Sequence, residues 1–137
     1  MKTNIKFFAI LIFVLITTAN LFASFIKDGT LQGRSDGNNV IISWQSDNEA
    51  NLKNYIIERR ANGNGDFISI AIINTKGNNY FYQFIDESAF KTTVTMYQYR
   101  IKIVETNGNI NYSAIITVAH NVSSVKRTWG SLKAMFR

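Results

Sequence analysis

The chain has 137 residues and a formal charge of +6, with ten Phe, six Tyr, two Trp, one His, no Pro and no Cys. That length fits one domain, and the aromatic content is ample for one core. The absence of Cys excludes a disulfide framework, a thiol nucleophile, Cys-ligated zinc and an N-terminal lipid-anchoring cysteine; with His120 as the single histidine and no His/carboxylate cluster, no metal site and no cofactor is expected.

Residues 1–23 have the three zones of a secretory signal peptide: Lys2 and Lys6 without an acid, an unbroken apolar run over 7–16, and small residues closing 17–23. Cleavage is expected after Ala23, with Ala19 a second site. An uncleaved anchor is the alternative, but a spanning helix needs roughly 20 apolar residues, and Thr17, Thr18 and Asn20 interrupt this one. The chain is thus expected to be exported: extracellular, at the cell surface or periplasmic. Between residues 24 and 120 nine Lys and Arg face nine Asp and Glu, so the excess charge sits on Lys126, Arg127, Lys133 and Arg137. A neutral body without a basic stripe argues against nucleic-acid binding.

Along the body, residues 25–33 predict a weak first strand ended by RSDGNN. In VIISWQ, Val40, Ile42 and Trp44 alternate with Ile41, Ser43 and Gln45, which predicts a core strand. Residues 46–54 predict a polar loop, YIIERR (55–60) a third strand, ANGNGD a turn dense in Gly and Asn, FISIAII (67–73) a fourth strand and YFYQFID (80–86) a fifth. The clearest element is YQYRIKIVETNGNINYS: Tyr97, Tyr99, Ile101 and Ile103 share one face and Gln98, Arg100 and Lys102 the other. ETNGN then offers residues that accept positive φ, and Tyr112, Ala114, Ile116 and Val118 resume the alternation, so the chain turns back as a hairpin. Seven short strands, regularly spaced turns and no convincing helix predict an all-β antiparallel sandwich over residues 24–121.

Trp44 closing one strand, Tyr55 opening the next, YQFID, and Tyr97-x-Tyr99-x-Ile101-x-Ile103 followed by Asn107-Gly108 and Tyr112-Ser113 resemble a fibronectin type III domain, of the kind found in secreted bacterial surface proteins. The resemblance covers about residues 30–120. It implies seven strands in two sheets, a core that includes Trp44, Tyr55, Ile57, Phe84, Tyr97, Tyr99 and Ile101, and a corner tyrosine, Tyr97, whose hydroxyl bonds backbone near the preceding loop. That loop lacks the usual leucine, so Phe90 or Val94 is expected to plug the core there. The turn at the position of an integrin-type RGD is ETNGN, which gives that adhesion mechanism no support.

The loops SDGNN, SDNEAN and NGNGD lack the spacing of a calcium loop and read as turn chemistry. The carboxylates Asp47, Glu49, Glu58, Asp86 and Glu87 fall in loops or on solvent-facing strand positions without a sign of convergence, so no acid/base pair and no enzyme is expected. His120 is expected to be exposed, and Arg59 and Arg60, beside Glu58, to be cross-strand partners rather than an anion site.

Residues 122–137 stand apart from the sandwich. Ser123 or Ser124 can cap a helix that puts Val125, Trp129, Leu132 and Phe136 on one face with Lys126, Lys133 and Arg137 along its flank. So short a helix is marginal in water and should fold only when docked. The expected role is partner binding through Lys126, Arg127, Trp129, Leu132, Lys133, Phe136 and Arg137. The partner is a protein or an envelope component, with an anionic membrane surface as an alternative. The chain therefore reads as a non-enzymatic exported interaction or structural module. The competing reading is a glycan or polymer binder that uses exposed aromatics among Phe67, Tyr80, Phe81 and Tyr82 as a platform.

Overall fold

The computed structural model describes residues 24–89, 96–120 and 132–135. Its strands are β1 (Gln32–Ser35), β2 (Val40–Gln45), β3 (Leu52–Ala61), β4 (Ile68–Asn74), β5 (Phe81–Asp86), β6 (Met96–Glu105), β7 (Ile110–Tyr112) and β8 (Ile116–Ala119). They pair antiparallel in two sheets, β1-β2-β5 and β4-β3-β6-β7, with β8 continuing along the β6 edge beyond β7.

The period-two patterns decide which side chains meet between the sheets. Val40, Ile42 and Trp44 from β2 and Tyr97, Tyr99, Ile101 and Ile103 from β6 are all buried in one cluster, joined by Leu52, Tyr55, Ile57, Tyr82 and Val118. Phe84 is partly buried against it. At the centre the Trp44 and Tyr82 rings stack with centroids 4.9 Å apart and an interplanar angle of 7°, and Tyr55 meets both edge-on at 5.6 and 5.4 Å. Both arrangements suit ring quadrupoles.

Several expected boundaries move. The first strand lies later than residues 25–33: residues near Ile26 contribute one bridge, to Ser46, and regular pairing starts at Gln32. The loop before β3 is shorter, because Leu52 is buried and draws the chain into the sheet. The last expected strand divides into β7 and β8, so eight strands replace seven among the described residues. Ser113 causes the break: its N–H donates to the Ile101 carbonyl at 2.9 Å, while its Oγ accepts from the Ile101 N–H at 2.9 Å. A side chain has replaced a carbonyl in the ladder, which ends the regular pairing there. The ETNGN turn closes as expected, with the Glu105 N–H donating to the Asn109 carbonyl and Gly108 at φ +89°. Phe90 and Val94, expected to plug the core, lie outside the described residues, as do residues 1–23.

β1 and β8 belong to different sheets and approach each other at Gly33. A Cβ there would lie 2.6 Å from Val118 Cγ2 and 2.9 Å from Ile116 Cδ1, so this glycine answers a demand for space. Gly33→Val should lower the unfolding free energy by about 1–3 kcal/mol through overpacking, and Trp44→Ala by about 3–5 kcal/mol through the cavity it leaves. Urea unfolding followed by tryptophan fluorescence for the first variant, and by far-UV circular dichroism for both, measures these losses.

Candidate functional site

The acidic side chains behave differently from their sequence positions. Glu49, in the loop after β2, is buried rather than solvent-facing, and its carboxylate collects donors from both sheets. Oε1 accepts from the Tyr55 hydroxyl at 2.9 Å and the Tyr82 hydroxyl at 2.7 Å, while Oε2 accepts from the N–H groups of Lys76 at 3.1 Å and Gly77 at 2.6 Å. The Glu49 N–H itself donates to Asn78 Oδ1 at 2.7 Å. Burial, together with the adjacent Glu49 charge, pushes the Tyr55 and Tyr82 hydroxyls above their ordinary acidity range, so both remain donors.

At the opposite end of the sandwich Asp86 closes β5. Its Oδ2 accepts from Arg59 Nη1 at 2.6 Å and the Tyr99 hydroxyl at 2.8 Å, and its Oδ1 from the Ser88 N–H at 3.0 Å and Ser88 Oγ at 2.6 Å. Burial raises the Asp86 pKa, but the bonds from Ser88, Tyr99 and Arg59 outweigh it and hold the carboxyl below its ordinary value of 3.8. Arg59, expected to pair across its own sheet, thus bridges to the other one. The same guanidinium lies 5.1 Å from the Tyr97 ring centroid. His120, expected to be exposed, is fully buried. Its Nδ1 lies 2.7 Å from Ser35 Oγ, which also accepts from the Gly37 N–H at 3.1 Å. Residues 90–95 of the loop expected to receive the Tyr97 hydroxyl lie outside the described residues.

The other conspicuous constellation is on the outer face of the larger sheet. Register places Glu58 opposite Arg100, Arg60 opposite Gln98, and Lys102 opposite both Ile56 and Tyr112. Arg100 donates from Nε to Glu58 Oε2 at 2.7 Å, and its guanidinium lies 4.2 Å from the ring centroids of both Phe67 and Tyr112. Arg60 covers Phe67 at 4.6 Å and donates from Nε to Gln98 Oε1 at 2.6 Å. The result is a ladder, Arg60, Phe67, Arg100, Tyr112, running across the strands. Each cation–π step contributes roughly 0.5–1 kcal/mol at such exposure. Ile72 (66% exposed), Tyr112 (50%) and Ile110 (49%) add apolar surface to this face and its edge.

The aromatic residues proposed from sequence as a platform do not form one surface. Tyr82 is in the core, Phe67 belongs to the ladder, and only Tyr80 and Phe81 (61% exposed) remain together, beside Gln45 and Gln83. The ladder was not legible because it needs the β3–β6 register, although the outward alternation of Gln98, Arg100 and Lys102 already assigned those side chains to solvent. Of the tail, residues 132–135 form one helical turn with Leu132 and Met135 exposed; Lys126, Arg127, Trp129, Phe136 and Arg137 lie outside the described residues. Among the described residues no group of three or more His, Cys, Asp or Glu is placed to hold a metal ion.

No protein-family model and no curated protein matches the chain. Solved structures do. An Fn3-like protein from Clostridium thermocellum is 21% identical, with 74% of this chain covering 98% of that one at a TM-score of 0.52. A pectate lyase from Erwinia chrysanthemi, in complex with tetragalacturonic acid, is 20% identical over 64% of this chain with a TM-score of 0.51. A family 76 glycoside hydrolase from a bovine Bacteroides thetaiotaomicron strain is 15% identical over 68% with a TM-score of 0.54. This chain spans 27% of the lyase and 20% of the hydrolase. The chain is a fibronectin type III-like β-sandwich.

Two outcomes follow from the buried carboxylates. Glu49→Gln keeps one acceptor oxygen for the Lys76 and Gly77 N–H groups but turns an amide NH2 toward the Tyr55 and Tyr82 hydroxyls in place of the oxygen they donate to, and should cost about 1–3 kcal/mol in chemical denaturation. Because the Asp86 carboxyl is held below 3.8 in the folded chain, its contribution is complete above that pH and is lost as pH falls through the lower folded value. Stability measured from pH 6 downward should therefore drop below about pH 4, and Asp86→Asn, though less stable at pH 6, should show a shallower drop.

Proposed function

We propose that the chain is a non-enzymatic, exported interaction or structural module at the bacterial cell envelope or surface. Its recognition surface is the outer face of the larger sheet, and residues 122–137 are its docking or targeting element. The observation that carries this reading is the outward-facing, half-buried Arg60–Phe67–Arg100–Tyr112 ladder flanked by the exposed Ile72: aromatic and guanidinium groups are the side chains that anchor interfaces. The disposition of the carboxylates argues the same way. Glu49 and Asp86 each accept four hydrogen bonds inside the fold, at opposite ends, which leaves neither placed for acid/base work on a bound molecule.

A second reading, a glycan or polymer binder, has its own support. Phe81 is exposed beside Gln45 and Gln83 on the smaller sheet, with Tyr80 next to it under the Lys76 ammonium at 4.9 Å, and two of the similar structures are a pectate lyase and a glycoside hydrolase. Fractionation of source cells with intact-mass analysis separates the readings. The full chain should lose residues 1–23 and stay with the envelope, a chain ending at Ser124 should escape to the medium, and Ile72→Ser with Tyr112→Ser should weaken retention while Phe81→Ser does not. Equal release of the full and shortened chains would remove the docking role of the tail. Loss of retention through Phe81→Ser alone would favour the second reading.

A further inference from the structure

The two guanidinium groups of the ladder are oriented before anything binds. Each has its Nε committed, Arg60 to Gln98 and Arg100 to Glu58, and each plane is held against the Phe67 ring. Among the described residues the terminal nitrogens of both meet no acceptor, so two Nη forks remain available. Because both groups lie within 4.6 Å of one ring centroid, they are within about 9 Å of each other. Lys102 is two residues from Arg100 on the same face of β6 and has no partner among the described residues. Three cations thus share the centre of this face with Glu58, which is buried and already paired with Arg100, while Asp66 lies at the margin, lining a small cleft with Arg60.

A guanidinium fork matches a carboxylate in two parallel hydrogen bonds, and side chains already immobilised lose little entropy when they bind. We infer that this face binds an acidic polysaccharide, a chain of uronic acid units, whose carboxylates engage Arg60, Arg100 and Lys102 while sugar C–H faces lie on Tyr112 and Ile72. Forks fixed on a shared ring suit charges carried at a regular repeat on a stiff polymer. An acidic peptide is served less well: an extended peptide is held along a free strand edge, here that of β4 or β7, and a helical one in a groove, whereas Arg60, Arg100 and Lys102 stand on the flat face of β3 and β6. The inference rests on the larger sheet being the recognition face, and it names the class of envelope component that the face takes.

Affinity electrophoresis of the full chain through gels containing polygalacturonate, its carboxyl-reduced neutral form or poly-glutamate tests it. Polygalacturonate should retard the chain, less so as salt rises, and the neutral polymer should not. Arg60→Gln and Lys102→Gln, neither of which strands a buried carboxylate, should each weaken retardation about tenfold, as expected for one charge-assisted contact. Arg100→Lys keeps a cation beside Glu58 but removes the fork and should weaken it comparably, with unfolding curves confirming that all three fold. Neutralising Lys126, Arg127, Lys133 and Arg137 in the full chain should leave most of the retardation in place. Absence of retardation by polygalacturonate, loss of it with the tail charges alone, or equal retardation by poly-glutamate would each overturn the inference. If polygalacturonate fails while Ile72→Ser with Tyr112→Ser still abolishes envelope retention, the larger sheet remains the recognition face and only the ligand class falls.

Discussion

The Glu49 carboxylate is the constraint on which the rest of this sandwich depends. It is buried with no cation paired to it among the described residues, and its charge is distributed over two tyrosine hydroxyls and two backbone N–H groups. Those tyrosines are the rings that pack on Trp44, one from each sheet, so the acceptor that orients them also fixes how the two sheets meet. A charge taken out of water costs several kcal/mol unless its hydrogen bonds are restored. Any slip of one sheet on the other would break some of these bonds and expose that cost. In a chain without cysteine, this sensitivity gives the packing a single register where hydrophobic burial alone would tolerate several.

Asp86 repeats the arrangement at the other end, with Arg59 and Tyr99 reaching across from the larger sheet. With both ends clasped, the intervening strands need only the alternation of apolar residues to stay aligned. The polar clasps also explain why Glu49 and Asp86, expected in loops or facing solvent, are occupied. The fold spends its carboxylates on its own assembly, and the chemistry left to a partner is that of the outer faces. There the two sheets differ. The smaller one sets Phe81 among glutamine side chains, with Arg34 further along it, while the larger one alternates guanidinium groups and rings.

Much of this was legible before any coordinates. The spacing of Val40, Ile42 and Trp44, and of Tyr97 through Ile103, is a local property of the chain. A strand turns successive side chains to opposite sides whatever it pairs with, so those residues and their burial could be assigned from order alone. The turn at ETNGN was legible for the same reason, since Gly108 supplies the positive φ within the segment that needs it. Where the reading erred, the deciding partner was distant in sequence. Ser113 breaks the last strand by bonding Ile101, His120 is buried against Ser35, and Glu49 finds Tyr82 across more than thirty residues.

The sequence by itself thus determined an all-β antiparallel sandwich, its inward-facing aromatic residues and its turns, because alternation and positive φ are encoded within a few consecutive residues. Only the tertiary structure decided which polar groups are sequestered and which are displayed. Arg59 and Arg60 are adjacent in the chain and point to opposite faces, one to a buried aspartate between the sheets and the other to the outward-facing ladder. The alternation separates the two faces, but whether a face meets a carboxylate, a ring or water depends on the strand register across the sheet and on which sheet lies opposite, and those are properties of the assembled fold.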